Sequence, residues 1–166
     1  MLIHLSNTES RLHIIRNKEL ELEEMNLLNA ILSGLAGTLI MTALMYMAPA
    51  MGMPKMDIIG MLGTMFTLNQ GAARVMGTVA HFMMGAVFAI LYALLWNLGI
   101  GSSTWLWGVV FGAAHGVIAM LTMPMMLKMH PRPPKMDSGA MMMVGLLAGH
   151  MVFGLVVALT YSALAG

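Results

Sequence analysis

The sequence predicts an all-α integral membrane protein. It should be a bundle of four transmembrane helices built from two repeated helical hairpins, preceded by a short helix on the membrane surface. Three observations predict this fold. Of 166 residues, 59% are hydrophobic and 9% charged, with mean hydropathy +0.82, whereas an ordinary soluble domain is about 25% charged. Four stretches each hold about 20 mostly apolar residues, the length that crosses a bilayer. One pattern, H-x-x-x-G-x-V-x-A-x-x-Y, occurs twice, as HFMMGAVFAILY at 81–92 and HMVFGLVVALTY at 150–161.

Residues 1–25 form a charged N-terminal segment. It carries Arg11, Arg16 and Lys18 beside Glu9, Glu19, Glu21, Glu23 and Glu24. As a helix it could rest Leu5, Leu12, Ile15 and Leu22 on lipid headgroups. A partly disordered tail is the alternative, and the stretch MNLLNAILSG from Met25 reads as a natural translation start. No cleavable signal peptide is expected, because the first apolar run begins only after residue 25 and is too long for a signal core.

Residues 26–166 hold the four spans, roughly Leu27–Ala48, Val75–Trp96, Trp105–Leu127 and Ala140–Leu164. Each must be a helix, since the bilayer core offers no partner to a free backbone group. Trp96, Trp105 and Trp107 flank the short turn NLGIGSST between the second and third spans, as indoles do at a membrane interface. Lys55, Arg74, Lys128, Arg132 and Lys135 lie in the two loops of one face. The opposite face has only the three cations of the N-terminal segment. The balance puts the loop face in the cytoplasm and both termini outside it.

The repeat extends beyond the quoted pattern. PKMD occurs at 54–57 and at 134–137, each time in the loop before a His-headed span and after a Met-Pro exit at Pro49 or Pro124. Repeat one covers about 27–97 and repeat two about 105–165. The first loop is longer, and its extra stretch IIGMLGTMFTLNQGAA predicts a short interfacial helix. Asp57 and the Asp137-Ser138 pair should cap the helices that follow. Two hairpins in the same orientation are related by an axis along the membrane normal.

Positions 0, 4, 8 and 11 of a helix fall within a quarter turn. His81, Gly85, Ala89 and Tyr92 therefore share a face, as do His150, Gly154, Ala158 and Tyr161. Gly108, Gly112, Gly116 and Ala119 form a third stripe, with His115 beside it. Small residues let helices approach closely, so these faces should point inward. That places His81, His115 and His150 inside the bilayer, where ionisable groups are functional candidates. Neutral imidazoles bind transition metals, and three in one layer could hold copper, zinc or iron; two on opposing helices could clamp a haem. Alternatively each histidine is satisfied by a neighbouring helix, through Tyr92, Tyr161 or Thr160.

Of 23 methionines, all but Met1 and Met25 fall in residues 41–84 and 120–151. Folded as four spans, they gather at the end that carries the PKMD loops. Thioethers are soft donors that suit Cu(I); they also pack irregular gaps and adaptable partner surfaces. His130, in KMHPRPPKMD, is either a further ligand at this end or an exposed loop residue.

The segments TALMYMAPAMGMPKMDIIGMLG and HFMMGAVFAILYALLW resemble small bacterial four-span membrane proteins assigned only to domains of unknown function. The resemblance implies a bacterial inner membrane and carries no catalytic residues.

Several classes drop out. A net charge of +1 leaves no nucleic-acid footprint. No cysteine is present, so disulfides and thiolate sites are absent. No acid lies within a span, which disfavours a carboxylate-coupled pump, and no nucleophile motif or phosphate loop suggests an enzyme. Two functions remain. One is a membrane protein that binds copper or haem through His81, His115 and His150. The other is a non-catalytic accessory subunit packed against other membrane subunits.

Overall fold

The structure is a computed structural model that describes residue 11 and residues 27–134 and 139–166. The expected N-terminal surface helix lies outside the described residues, apart from Arg11, which is helical. The expected cap at Asp137-Ser138 also lies outside them.

Every described element is helical. Helix α1 (Leu27–Met51) ends in a 3-10 turn, Ala48–Met51, stopped by Gly52 at φ 79°. Helix α2 (Ile58–Thr64) is short. Helices α3 (Gln70–Asn97), α4 (Trp105–Met129) and α5 (Ala140–Ala165) are long. α1, α3, α4 and α5 are each long and apolar enough to cross a membrane. Their outward faces carry large apolar side chains, among them Leu39, Val79, Val110 and Leu159. Such a surface suits acyl chains and not water.

The expected short helix is α2. Asp57 caps it by accepting from the Gly60 amide at 2.9 Å, and Arg74 on α3 reaches the same carboxylate at 3.7 Å. α2 packs on the start of α3 through two glycines. A Cβ on Gly63 would collide with the Ala73 carbonyl, and one on Gly77 with the Ile59 carbonyl.

The two antiparallel pairs, α1 with α3 and α4 with α5, cross on glycine in the same way. A Cβ built on Gly34 would lie 2.6 Å from the Gly85 carbonyl oxygen and 2.8 Å from Ala89 Cβ. One built on Gly108 would lie 2.5 Å from the Gly154 carbonyl oxygen and 2.6 Å from Ala158 Cβ. Small residues here let the backbones touch, which is how helices associate where lipid gives no hydrophobic drive. The pairs meet where Gly37 of α1 abuts Phe153 and Val157 of α5.

The predicted inward stripes face the interior. His81, Gly85, Ala89 and Tyr92 are all buried, and so are Gly154, Ala158 and Tyr161, with His150 half-buried. Beside the last two stand Trp96 and Phe153, and these residues form an aromatic core in the half of the bundle remote from the α1–α2 and α4–α5 loops.

Two sequence expectations are corrected. Trp105 and Trp107 are exposed, as interfacial indoles should be, but Trp96 is only 9% exposed and stacks beside Tyr161 with ring centroids 5.5 Å apart. It lies on the face of α3 that also carries Tyr92 and Ala89, so its side chain is turned into the core. Likewise α4 does not exit at Pro124; it continues to Met129. Proline forfeits one amide donor, and the helix tolerates that within its last two turns.

Candidate functional site

The other half of the bundle is hollow. A cavity of about 280 Å³ lies between the two helix pairs, towards the loops. His81, His115 and His150 all line it, together with nine methionines drawn from α1, the α1–α2 connection, α2, α3 and α4. Met61 and Leu62 of α2 pack with Met123 and Leu146 along its side. α2, which has no counterpart between α4 and α5 among the described residues, thus forms part of the cavity wall.

The three histidines are held differently. His150 Nδ1 donates to the Leu146 carbonyl at 2.7 Å. A carbonyl only accepts, so in the neutral ring Nε2 is left with its lone pair. His115 Nδ1 pairs with the Tyr92 hydroxyl at 3.2 Å, and Phe88 stacks on its ring at 3.7 Å between centroids. His115 and His150 touch, edge to face, at 4.5 Å between centroids. His81 is 6% exposed, and neither of its ring nitrogens has a hydrogen-bond partner. Burying an unsatisfied polar group costs about 1–3 kcal/mol.

One turn from the Thr38–Gly85 contact, along antiparallel α1 and α3, lie Thr42 and His81. The Thr42 hydroxyl is likewise buried without a partner. No sequence pattern singles out Thr42; only the register of the helix pair places it at the level of His81.

Of the sequence-predicted residues, the structure brings His115 and His150 into contact and sets His81 on the same cavity. Among the described residues, no three His, Cys, Asp or Glu side chains gather closely enough to hold a metal by themselves. The alternative of a histidine satisfied by a neighbouring helix holds for His115, through Tyr92. His150 is satisfied within its own helix, and His81 by neither route.

His130 is neither an exposed loop residue nor a lining residue of the cavity. It is 5% exposed. Its Nδ1 accepts from the Arg132 amide at 3.0 Å, so Nε2 carries the proton and donates to the Met61 carbonyl at 3.0 Å. Thr64 Oγ1 lies 3.3 Å from the same nitrogen. With both nitrogens engaged, His130 pins α2 to the end of α4.

Fold and surface together define an all-helical protein of the integral membrane class, with four helices able to cross the bilayer and an internal cavity at one end. The chain belongs to a family of unknown function, DUF6789, whose profile matches residues 25–166. No curated protein and no solved structure matches it.

Proposed function

We propose that the chain is a binding protein rather than an enzyme, and that its cavity holds Cu(I). The observation that carries this reading is His81. A buried imidazole whose nitrogens have no hydrogen-bond partner, lining a methionine-walled cavity, has one free lone pair to offer a soft ion. The donors are neutral and soft. Thioether and imidazole select Cu(I), whereas Mg²⁺ and Ca²⁺ need oxygen ligands. A low-dielectric, uncharged cavity also penalises a divalent ion more than a monovalent one. The three histidines do not suffice alone, so thioethers from lining residues such as Met41, Met45 and Met84 would complete the coordination.

The partners of His115 and His150 support the same reading. A metal-ligating histidine usually donates its second nitrogen to a carbonyl or similar acceptor. Leu146 provides such an acceptor for His150, and the Tyr92 oxygen can do so for His115. Haem is less well supported. The rings of His115 and His150 are already in contact, so that pair would leave no room for a haem between them.

The chain also reads as two copies of one hairpin in a bacterial inner membrane. Support for the repeat comes from the matching glycine contacts of Gly34 and Gly108. The localisation rests on the resemblance to small bacterial membrane proteins.

The test is a Cu(I) titration of protein purified in mild detergent, under reductant, against a chromophoric Cu(I) chelator. The wild type should retain about one ion per chain, as a single site of this donor type would. Substituting His81→Leu and His150→Leu together should abolish retention. A wild type that yields all its copper to a weak chelator, or a double variant that keeps it, refutes the reading.

A further inference from the structure

We propose that the cavity has one usable mouth, so that its ion arrives and departs on one side of the membrane and is not conducted across it. The identity of the ion rests on the Cu(I) reading; the geometry of access does not.

The lining residues are confined to one half of the bundle. They run from Met41 to Met51 on α1, His81 to Phe88 on α3, His115 to Met126 on α4 and Gly145 to Val152 on α5. Beyond Phe88 and Val152 the interior closes. Tyr92 packs on Phe111 at 5.2 Å and on Phe153 at 6.0 Å between centroids, and Trp96 on Tyr161 at 5.5 Å. Phe153 and Ala89 are essentially inaccessible. Around this plug the helices touch backbone to backbone at Gly34–Gly85 and Gly108–Gly154. Close-packed interiors of this kind hold few voids larger than a water molecule, so a path through the plug would require the helix pairs to separate.

At the other end the lining reaches the surface through Met51, which is 69% exposed, and Met53 in the α1–α2 connection. This end carries the exposed cations Lys55, Arg74, Lys128 and Arg132, with Asp57 the one acid among the described residues there. It therefore faces water, on the cytoplasmic side by the charge rule. The cavity wall also includes Met84 and Ile118, whose outer surfaces are exposed on the flank of the bundle. A gap there opens on lipid, a route too costly for a charge. The donor and the acceptor of the ion must then both work at the loop face, and the chain acts as a one-sided receptacle.

The absence of cysteine from the chain makes the test direct. Single-cysteine variants are placed in sealed vesicles of both orientations and treated with a charged, membrane-impermeant thiol reagent. Lys55→Cys and Ser102→Cys mark the two faces. Ala119→Cys and Met45→Cys report on the cavity from two different helices, so one poorly folded variant does not end the experiment. Both cavity positions should react from the Lys55 face and stay unmodified from the Ser102 face. Reaction from both faces, or from the Ser102 face alone, overturns the proposal. So does reaction confined to an uncharged, lipid-soluble maleimide, which would mean a mouth open to the bilayer, and so does failure to react with either reagent. No metal is used, so this result and the copper titration stand or fall separately.

Discussion

Replacing Gly108 by alanine tests the central packing claim. The new methyl would sit 2.5 Å from the Gly154 carbonyl oxygen and 2.6 Å from Ala158 Cβ. Neither neighbour can rotate away, because one is backbone and the other a Cβ fixed to it. The helices must part or slide. Overpacking of this kind costs about 1–3 kcal/mol. Alanine gains about 1 kcal/mol over glycine within a helix, so the net loss should be about 0–2 kcal/mol, up to about a 30-fold fall in the folded-to-unfolded ratio. The control is Gly149→Ala on α5, which would meet only Met41 Cγ at 3.6 Å and Sδ at 3.9 Å, ordinary contacts with a flexible chain. Both variants gain the same helix propensity, so their difference isolates the clash. The assay is reversible unfolding in mixed micelles with a denaturing detergent, read by loss of helical circular dichroism. If the two variants unfold at the same point, glycine-mediated contact between α4 and α5 is not what holds that pair together.

Four further outcomes are expected. His81→Leu should leave metal-free protein as stable as wild type or more so, by up to the 1–3 kcal/mol that an unsatisfied buried group costs; a clear loss of stability in the unfolding assay would mean that His81 has a structural partner. His130→Ala breaks the tie from α4 to the Met61 carbonyl and should speed proteolysis or amide exchange within α2 while leaving α3 and α5 protected. Asp57→Ala removes the cap on Gly60 and should cost about 1 kcal/mol. The Arg74 contact should add little, being long and largely exposed, so Arg74→Ala should be near neutral in the same assay.

Much of the fold was legible because the membrane leaves few alternatives. Length and apolarity predicted the four spans, and small residues at four-residue spacing predicted which faces turn inward. The His81 and His150 stripes are buried for that reason. The concentration of methionine also had a structural counterpart, in that the cavity lies at the methionine-rich end. Other features depend on contacts between segments distant in sequence. Trp96 stands next to a turn, which suggests an interfacial indole, yet it shares a helical face with Tyr92 and meets Tyr161, 65 positions away. His130 sits among prolines and cations in a stretch that reads as exposed, and its partner Met61 belongs to another helix. The lack of any partner for His81 could not be read from sequence, because it depends on what every neighbour fails to offer.

The division of this bundle into a packed half and a hollow half has an evolutionary consequence. Residues around Gly34, Gly108, Trp96 and Tyr161 each fit against fixed neighbours, so almost any change there is felt by the whole fold. Residues on the cavity wall face empty space on one side, and a change of size or chemistry meets little resistance. Tolerance to substitution should therefore be polarised along the membrane normal. A lineage could change the side chains that line the cavity, exchanging methionine for another residue at Met45 or Met126, without risking the scaffold. Within the family, positions in the remote half should vary less than positions on the cavity wall.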